Sequence, residues 1–423
     1  MAEGVPVQTK DSASRSIACR FCGNGLSHSF VDLGMSPLCQ THITQEQLNH
    51  MEPFYPLHAY VCEKCFLVQL DEFVAPGDIF SEYAYFSSYS ESWVAHAKRY
   101  AEKMIERFGL GASSKVVEIA SNDGYLLQHF VARGVPVLGV EPAANIAKVA
   151  NEKGVRSVVK FFGRNTAREL APEGQADLLL GNNVLAHVPD LNDFVGGMKI
   201  LLKAGGVITM EFPHLYRLME ENQFDTIYHE HFSYFSFITV EQVFAAHGIT
   251  LFDVEELKTH GGSLRIYGRH TDDQTKPVTA NVTELRAREK AAGFDTLAAY
   301  RKFGDQVRET KRQILDFLIA TRRAGKTIVG YGAPGKGNTL LNYCGIRQDF
   351  LDYTVDLNPY KQGKYTPGTH IPIMAPAQLR ETRPDYIFIL PWNLKDEIVQ
   401  QHAYVREWGG KFVVPIPTLR VLP

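Results

Sequence analysis

The chain has 423 residues, 45% of them hydrophobic and 22% charged, with a formal net charge of -3. That length accommodates two or three domains with substantial cores, and the charge balance excludes wholesale attraction to nucleic acid or to an anionic membrane. No apolar stretch approaches the ~20 residues of a membrane-crossing helix, and the opening MAEGVPVQTKDSASRS is polar and lacks a signal-peptide core, so the expected location is cytoplasmic.

Residues 1–16 read as a leader, followed by a cysteine module over 17–75. Four of the six cysteines form two pairs, Cys19 and Cys22 in CRFC and Cys62 and Cys65 in CEKC, with Cys39 and Cys344 as singletons. Four thiolates in two such pairs suit one closed tetrahedral zinc, which stabilises a small module and leaves no open position for catalysis. The same ligands suit an iron-sulfur centre, but no redox partner is visible. A nucleic-acid-binding ribbon is disfavoured because THITQEQLNHMEPFYPLHAY presents no basic stripe.

An α/β domain is expected over 76–270. VVEIA, PVLGVEP, DLLLGNN and GGVITMEFP alternate with helix-like stretches, the pattern of a parallel sheet with ligands at the carboxyl ends of its strands. The first strand carries Glu118 and runs through Ala120 into Ser121, Asn122, Asp123 and Gly124, a tight loop before a helix near Tyr125. A pyrophosphate reader would show GxGxxG; this loop is acidic and better matched to a cationic sulfonium such as S-adenosylmethionine. Glu141, about twenty residues on, is placed to accept ribose hydroxyls. Phe161 and Phe162 are candidates to cover adenine, and Asn182, Asn183 and His187 sit at the end of a later strand.

Next, IYHEHFSYFS packs Tyr228, His229, Glu230, His231 and Tyr234 together. HEH lacks the HExxH spacing that aims two imidazoles at one zinc, which leaves a polar turn or acid/base work, the latter preferred. A helical connector over 271–324 follows, read as one long amphipathic strut. The last domain, 325–423, repeats the strand-turn-helix pattern in TIVGYGA, YTVDLNP and DYIFILPW. YGAPGKG matches neither GxxxxGK[ST] nor GxGxxG, so nucleotide hydrolysis and hydride transfer are both disfavoured. Helix-start amides with Lys336 suit a static diphosphate anchor. Ala333, Gly337, Asn338, Asp356 and Lys361 complete the candidate substrate contacts, with a solvated surface charge as the plain alternative for Lys361.

EIASNDGYLL, FDTIYHEHFSYFS, VGYGAPGKGNTLLNYCG and the two CxxC pairs together resemble the sugar C-methyltransferase family acting on nucleotide-linked keto-deoxysugars, over nearly the whole chain. The resemblance implies an N-terminal structural zinc module, a central Rossmann-like domain using S-adenosylmethionine, and a C-terminal Rossmann-like domain for a nucleotide sugar of the dTDP class. That family often has glycine where Ala120 stands. Carbon methylation requires a carbanion equivalent, which a sugar ketone supplies as an enolate. The family's Tyr-x-Glu-His pattern falls on Tyr228, Glu230 and His231, with His231 as general base, Glu230 orienting it or stabilising its protonated form, and Tyr228 or His187 donating to the enolate oxygen. The resemblance also implies that Tyr83 and Tyr85 help close the site on cofactor or sugar. The expected assembly is a monomer or weak oligomer, without nucleic-acid or membrane partners. Two other readings stand beside this one: an O-methyltransferase in which His231 deprotonates a hydroxyl, and a non-catalytic zinc-containing binding protein.

Overall fold

A computed structural model of the chain describes residues 17–74 and 86–423. Among these, three sheets set the architecture. In the cysteine module, strands His28–Ser36, Tyr55–Val61 and Val68–Leu70 form an antiparallel meander. Leu57, Ala59 and Val61 turn inward in alternation, the period of a strand buried on one face. A fourth strand, Ser233–Tyr234, distant in sequence, joins this sheet by pairing with Val68–Leu70. The segment that follows the HEH motif is therefore shared between the two units.

The central sheet has seven strands in the order Ile249–Leu257, Ser263–His270, Leu202–Pro213, Ala176–Asn182, Val116–Ile119, Val137–Glu141, Ser157–Val159. The last five run parallel, as the alternating pattern implies. Ser263–His270 is reversed, antiparallel to both its neighbours, so the edge strand Ile249–Leu257 again runs with the other five; the two form a hairpin added to the sheet edge that no sequence pattern announced. Its turn carries Gly261 and Gly262 at φ of +92° and +119°, accessible to glycine at little cost.

Helix Glu91–Phe108 packs on one face of this sheet, burying Ala97, Tyr100, Ala101 and Met104 at helical spacing. The Ser90 side chain caps its start by accepting from Trp93 N, and Gly109 at φ +62° ends it. The helix after the acidic loop is short, Leu127–Val131, and begins two residues beyond Tyr125. Cys19, Cys62 and Cys65 pack on the opposite face of the central sheet with Phe194, Phe235 and Phe237, which sets the cysteine module directly against the central domain.

Residues 271–324 hold three helices, Ala280–Ala291, Leu297–Arg301 and Phe303–Arg323, instead of one continuous strut. The chain turns at Gly293, φ +85°, and this fold-back lets Tyr300 and Phe303 reach the cysteine module. There Phe30 stacks on Phe303 with ring centroids 4.7 Å apart. The C-terminal sheet, ordered Ile373–Met374, Thr354–Val355, Ile328–Tyr331, Tyr386–Ile389, Lys411–Val414, Arg420–Leu422, is parallel except for its last strand. It shares one apolar core with the connector and the module's sheet.

Among the polar contacts that tie the connector to the central domain, the one made by Glu289 is the most deeply buried. Fully buried Glu289 accepts from Phe237 N at 2.7 Å and Ile238 N at 2.8 Å, where helix Phe237–Ala246 begins, and its Oε1 lies 2.6 Å from His214 Nε2. A carboxylate here complements the helix dipole and satisfies amides that water cannot reach. Glu289→Ala leaves those buried donors without an acceptor and is expected to cost about 3–5 kcal/mol, read as a lowered denaturation midpoint of the zinc-loaded protein.

Candidate active site

A cavity of about 460 Å3 opens at the carboxyl ends of the central strands, where the three units meet. It is lined by Ala120, Asn122, Glu141, Phe161, Phe162, Asn182, Asn183, His187, Tyr228, Glu230, His231 and Lys336, so residues dispersed over the sequence converge on one space.

At the end bordered by the acidic loop, Ala120 and Asn122 take φ of +56° and +48°. Left-handed backbone at Ala120 gives a physical reason for glycine at this point of the loop, and it bends the chain so that backbone borders the cavity. Glu141 accepts from Asn122 N at 2.9 Å and Ala143 N at 3.0 Å. Burial raises its pKa while those two amides oppose the rise. Phe161 is half exposed at the rim, whereas Phe162 stands edge-on to Phe194 in the wall. Buried Asn182 ends strand Ala176–Asn182, and Asn183 Nδ2 lies 3.0 Å from His260 Nε2. A braced carboxylate, buried amides and an apolar slot fit an adenosine.

Glu118 and Asp123 stand behind this wall. Glu118 is fully buried with no hydrogen-bond partner on either oxygen, and desolvation beside Glu141 and Asp123 pushes its carboxyl well up, towards the neutral acid. Asp123 Oδ2 accepts from Lys153 Nζ at 2.8 Å. Tyr83 and Tyr85 lie outside the described residues; close to them in the chain, Ser87 N donates to Asn122 Oδ1 at 2.9 Å, docking that segment on the cofactor loop.

At the other end, His231 Nδ1 lies 3.0 Å from Thr226 O. A carbonyl only accepts, so in the neutral ring Nδ1 carries the proton and Nε2 keeps its lone pair. Burial, with His187 and Lys336 nearby, drives the His231 pKa well down, so the ring is neutral at ordinary pH. The orienting contact is thus the Thr226 carbonyl, in place of the Glu230 carboxylate expected from sequence. Tyr228 and His187 flank the imidazole at centroid distances of 4.0 and 4.7 Å. Glu230 is buried, faces Cys39, and has its pKa pushed up to about 7 by desolvation.

From the C-terminal unit, helix Gly335–Cys344 brings Lys336 to the cavity. Its Nζ donates to Asn393 Oδ1 at 2.9 Å and sits 4.6 Å from the Trp392 ring centroid, while Trp392 Nε1 donates to Asp225 Oδ2 at 2.7 Å. Ala333, Gly337, Asn338, Asp356 and Lys361 are beside the cavity instead of lining it. Asp356 Oδ2 accepts from Ala333 N at 2.7 Å, Lys361 Nζ donates to Ala333 O at 2.8 Å, Gly337 packs on Leu390, and Asn338 Oδ1 accepts from Asn342 Nδ2 at 3.2 Å. Thr226, inside FDTIYHEHFSYFS but given no role there, also lines the cavity, as do Trp93, His260 and Gln40, which no motif signalled. Only convergence in space marks them.

The four paired cysteines place all their Sγ atoms within 4.8 Å of one another, with Cys19–Cys65 and Cys22–Cys62 both at 3.5 Å. That packing suits tetrahedral ligation at Zn–S of about 2.3 Å, and Gln69 Nε2 donates to Cys19 Sγ at 3.2 Å. Within the first pair, Arg20 donates to Pro189 O at 2.8 Å, two residues beyond His187. The metal knuckle thereby braces the cavity wall.

Three family models match along the chain: a zinc binding domain over residues 19–80, a methyltransferase domain over 93–254 and a C-methyltransferase C-terminal domain over 258–417. C-methyltransferase NovU of Streptomyces niveus is 36% identical over 407 residues, 96% of this chain and 96% of that protein. Ubiquinone biosynthesis O-methyltransferase of Bradyrhizobium sp. (strain ORS 278) is 31% identical over 99 residues, 23% of this chain and 38% of its own length. Among solved structures, the PH0226 protein of Pyrococcus horikoshii OT3 is similar over 47% of this chain and 99% of its own, at 17% identity and a TM-score of 0.37.

Fold and site define an S-adenosylmethionine-dependent methyltransferase with an N-terminal zinc module. More narrowly, the chain belongs to the C-methyltransferase family, and it is an enzyme of that class. No helix among the described residues is long and apolar enough to cross a membrane.

Purified protein is expected to carry about one zinc per chain, and Cys62→Ser to lose the metal and much of the soluble yield, by elemental analysis. Glu141→Ala removes a carboxylate that lines the cavity and the brace on the loop. It is expected to weaken S-adenosylmethionine binding by about 10- to 100-fold in calorimetry, with the zinc content unchanged.

Proposed function

We propose that the enzyme methylates a carbon next to the ketone of a nucleotide-linked keto-deoxysugar, with His231 as general base. The observation that carries this is the His231 imidazole: its Nδ1 is tied to the Thr226 carbonyl, its ring is neutral through burial, and it stands in the same cavity as the Glu141 loop and Lys336.

When bound, S-adenosylmethionine supplies an electrophilic methyl group on sulfur. His231 Nε2 takes the proton from the carbon beside the ketone, and the C–H electron pair becomes the double bond of an enolate. Glu230, with a protonated fraction near neutrality, donates to the enolate oxygen, assisted by Tyr228 or His187. Bound S-adenosylmethionine would give its methyl group to the enolate carbon, the carbon–sulfur bonding pair being left on sulfur and the ketone re-formed, while His231 holds the abstracted proton. Burial keeps water from competing for the enolate, and the fixed positions of base and donors supply alignment.

Lys336, at the start of its helix, supports a substrate with an anionic diphosphate, with Ala333, Gly337, Asn338, Asp356 and Lys361 shaping the adjoining backbone. The full-length C-methyltransferase relative supports transfer to carbon; the O-methyltransferase match spans 23% of the chain.

His231→Ala is expected to slow turnover by about 10²- to 10⁴-fold while cofactor binding persists. The decisive measurement uses a nucleotide-linked ketosugar deuterated at the accepting carbon. Loss of that deuterium with a new carbon-bound methyl is the expected result; retention of deuterium with a methyl on oxygen would replace carbanion chemistry by O-methylation.

A further inference from the structure

Cys39 belongs to the cysteine module yet stands apart from its four metal ligands. Its buried Sγ lies 3.4 Å from Glu230 Oε1, placing the thiol as hydrogen-bond donor to the carboxylate. The same sulfur is wedged against the start of helix Gly335–Cys344: a Cβ built on Gly335 would lie 2.9 Å from it. The next residue, Gln40, lines the cavity. One side chain therefore touches the catalytic motif and the C-terminal unit while rooted in the zinc module.

We infer that Cys39 is a positioning residue that holds the Glu230 carboxyl in its working orientation and sets how readily it keeps its proton. This rests on the reading of Glu230 as donor to the enolate oxygen. A thiol is a weak donor, so it steadies the carboxylate without stabilising its charge as strongly as a hydroxyl would. Besides the thiol, titratable and charged groups lining the same cavity include Tyr228, His187, His231, His260 and Lys336, while Tyr234 and, from the C-terminal unit, Lys361 act on Cys39. Removal of the donor makes the proton harder to lose; a hydroxyl in its place makes it easier.

The test uses the full zinc-loaded chain. Infrared difference spectra against Glu230→Gln isolate the protonated carboxyl band of Glu230, followed as a function of pH. The wild-type band is expected to titrate near neutrality. In Cys39→Ala its midpoint is expected to rise by about half a unit or more; in Cys39→Ser it is expected at or below the wild-type position, with zinc content unchanged in both. An unmoved midpoint in Cys39→Ala, or a serine variant that shifts upward with alanine, overturns the inference. The acid role of Glu230 is tested separately by the pH profile of kcat/KM for the nucleotide-linked ketosugar. Wild-type activity is expected to decline as pH rises through the Glu230 titration, and Glu230→Gln, which donates without ionising, to lose that decline. A decline preserved in Glu230→Gln overturns the acid role while leaving the infrared result standing.

Discussion

The two-residue strand Ser233–Tyr234 constrains the rest of the molecule. It pairs with Val68–Leu70 of the cysteine module, and just before it Phe232 N donates to Ala186 O at 2.7 Å while Phe232 O accepts from Leu70 N at 3.0 Å. The backbone that follows His231 is thus held by the module on one side and by the His187 segment on the other. With so few internal contacts, this segment takes its conformation from its neighbours. The module must therefore be folded for Tyr228, Glu230 and His231 to be in place, and its four converging thiolates are where a bound zinc would stabilise it. A zinc held there would act on the cavity through backbone geometry, because four thiolates leave it no open coordination position.

Burial then decides what the assembled groups do. In water a histidine and a glutamate would titrate on either side of pH 5; in this cavity desolvation moves them past each other. His231 is driven down and stays neutral, while Glu230 is lifted to about 7. The same environment thereby yields an unprotonated imidazole beside a carboxyl that still holds its proton part of the time, which is the pairing that enolate chemistry uses. Glu118, with neither oxygen bonded, shows the same force without a reactive partner.

The C-terminal unit is part of this assembly and not an appended module. Connector residue Glu289 satisfies the amides that start helix Phe237–Ala246, directly after the shared strand, and Phe30 stacks on Phe303 where connector and module meet. Cys39, Gln40 and Lys336 then bring three units to one cavity.

Much of this was written locally in the sequence. Two CxxC pairs specify a thiolate cluster because ligand spacing is a property of a few adjacent residues. Alternating apolar runs and polar turns likewise specified the parallel strands and placed Glu141 and Asn182 at their ends, because the repeat of a strand is visible along the chain. The edge hairpin over 249–270 and the break at Gly293 were not legible: the first is an addition to an existing sheet and the second a response to packing, and both depend on neighbours distant in sequence. Within the site, sequence nominated Tyr228, Glu230 and His231 but not which partner each would have. That Thr226 orients His231, that Cys39 faces Glu230, and that Glu118 and Asp123 stand behind the wall they were expected to line were decided by tertiary structure alone. Hydrogen-bond partners and desolvation are set by what the fold brings together, and no local pattern encodes them.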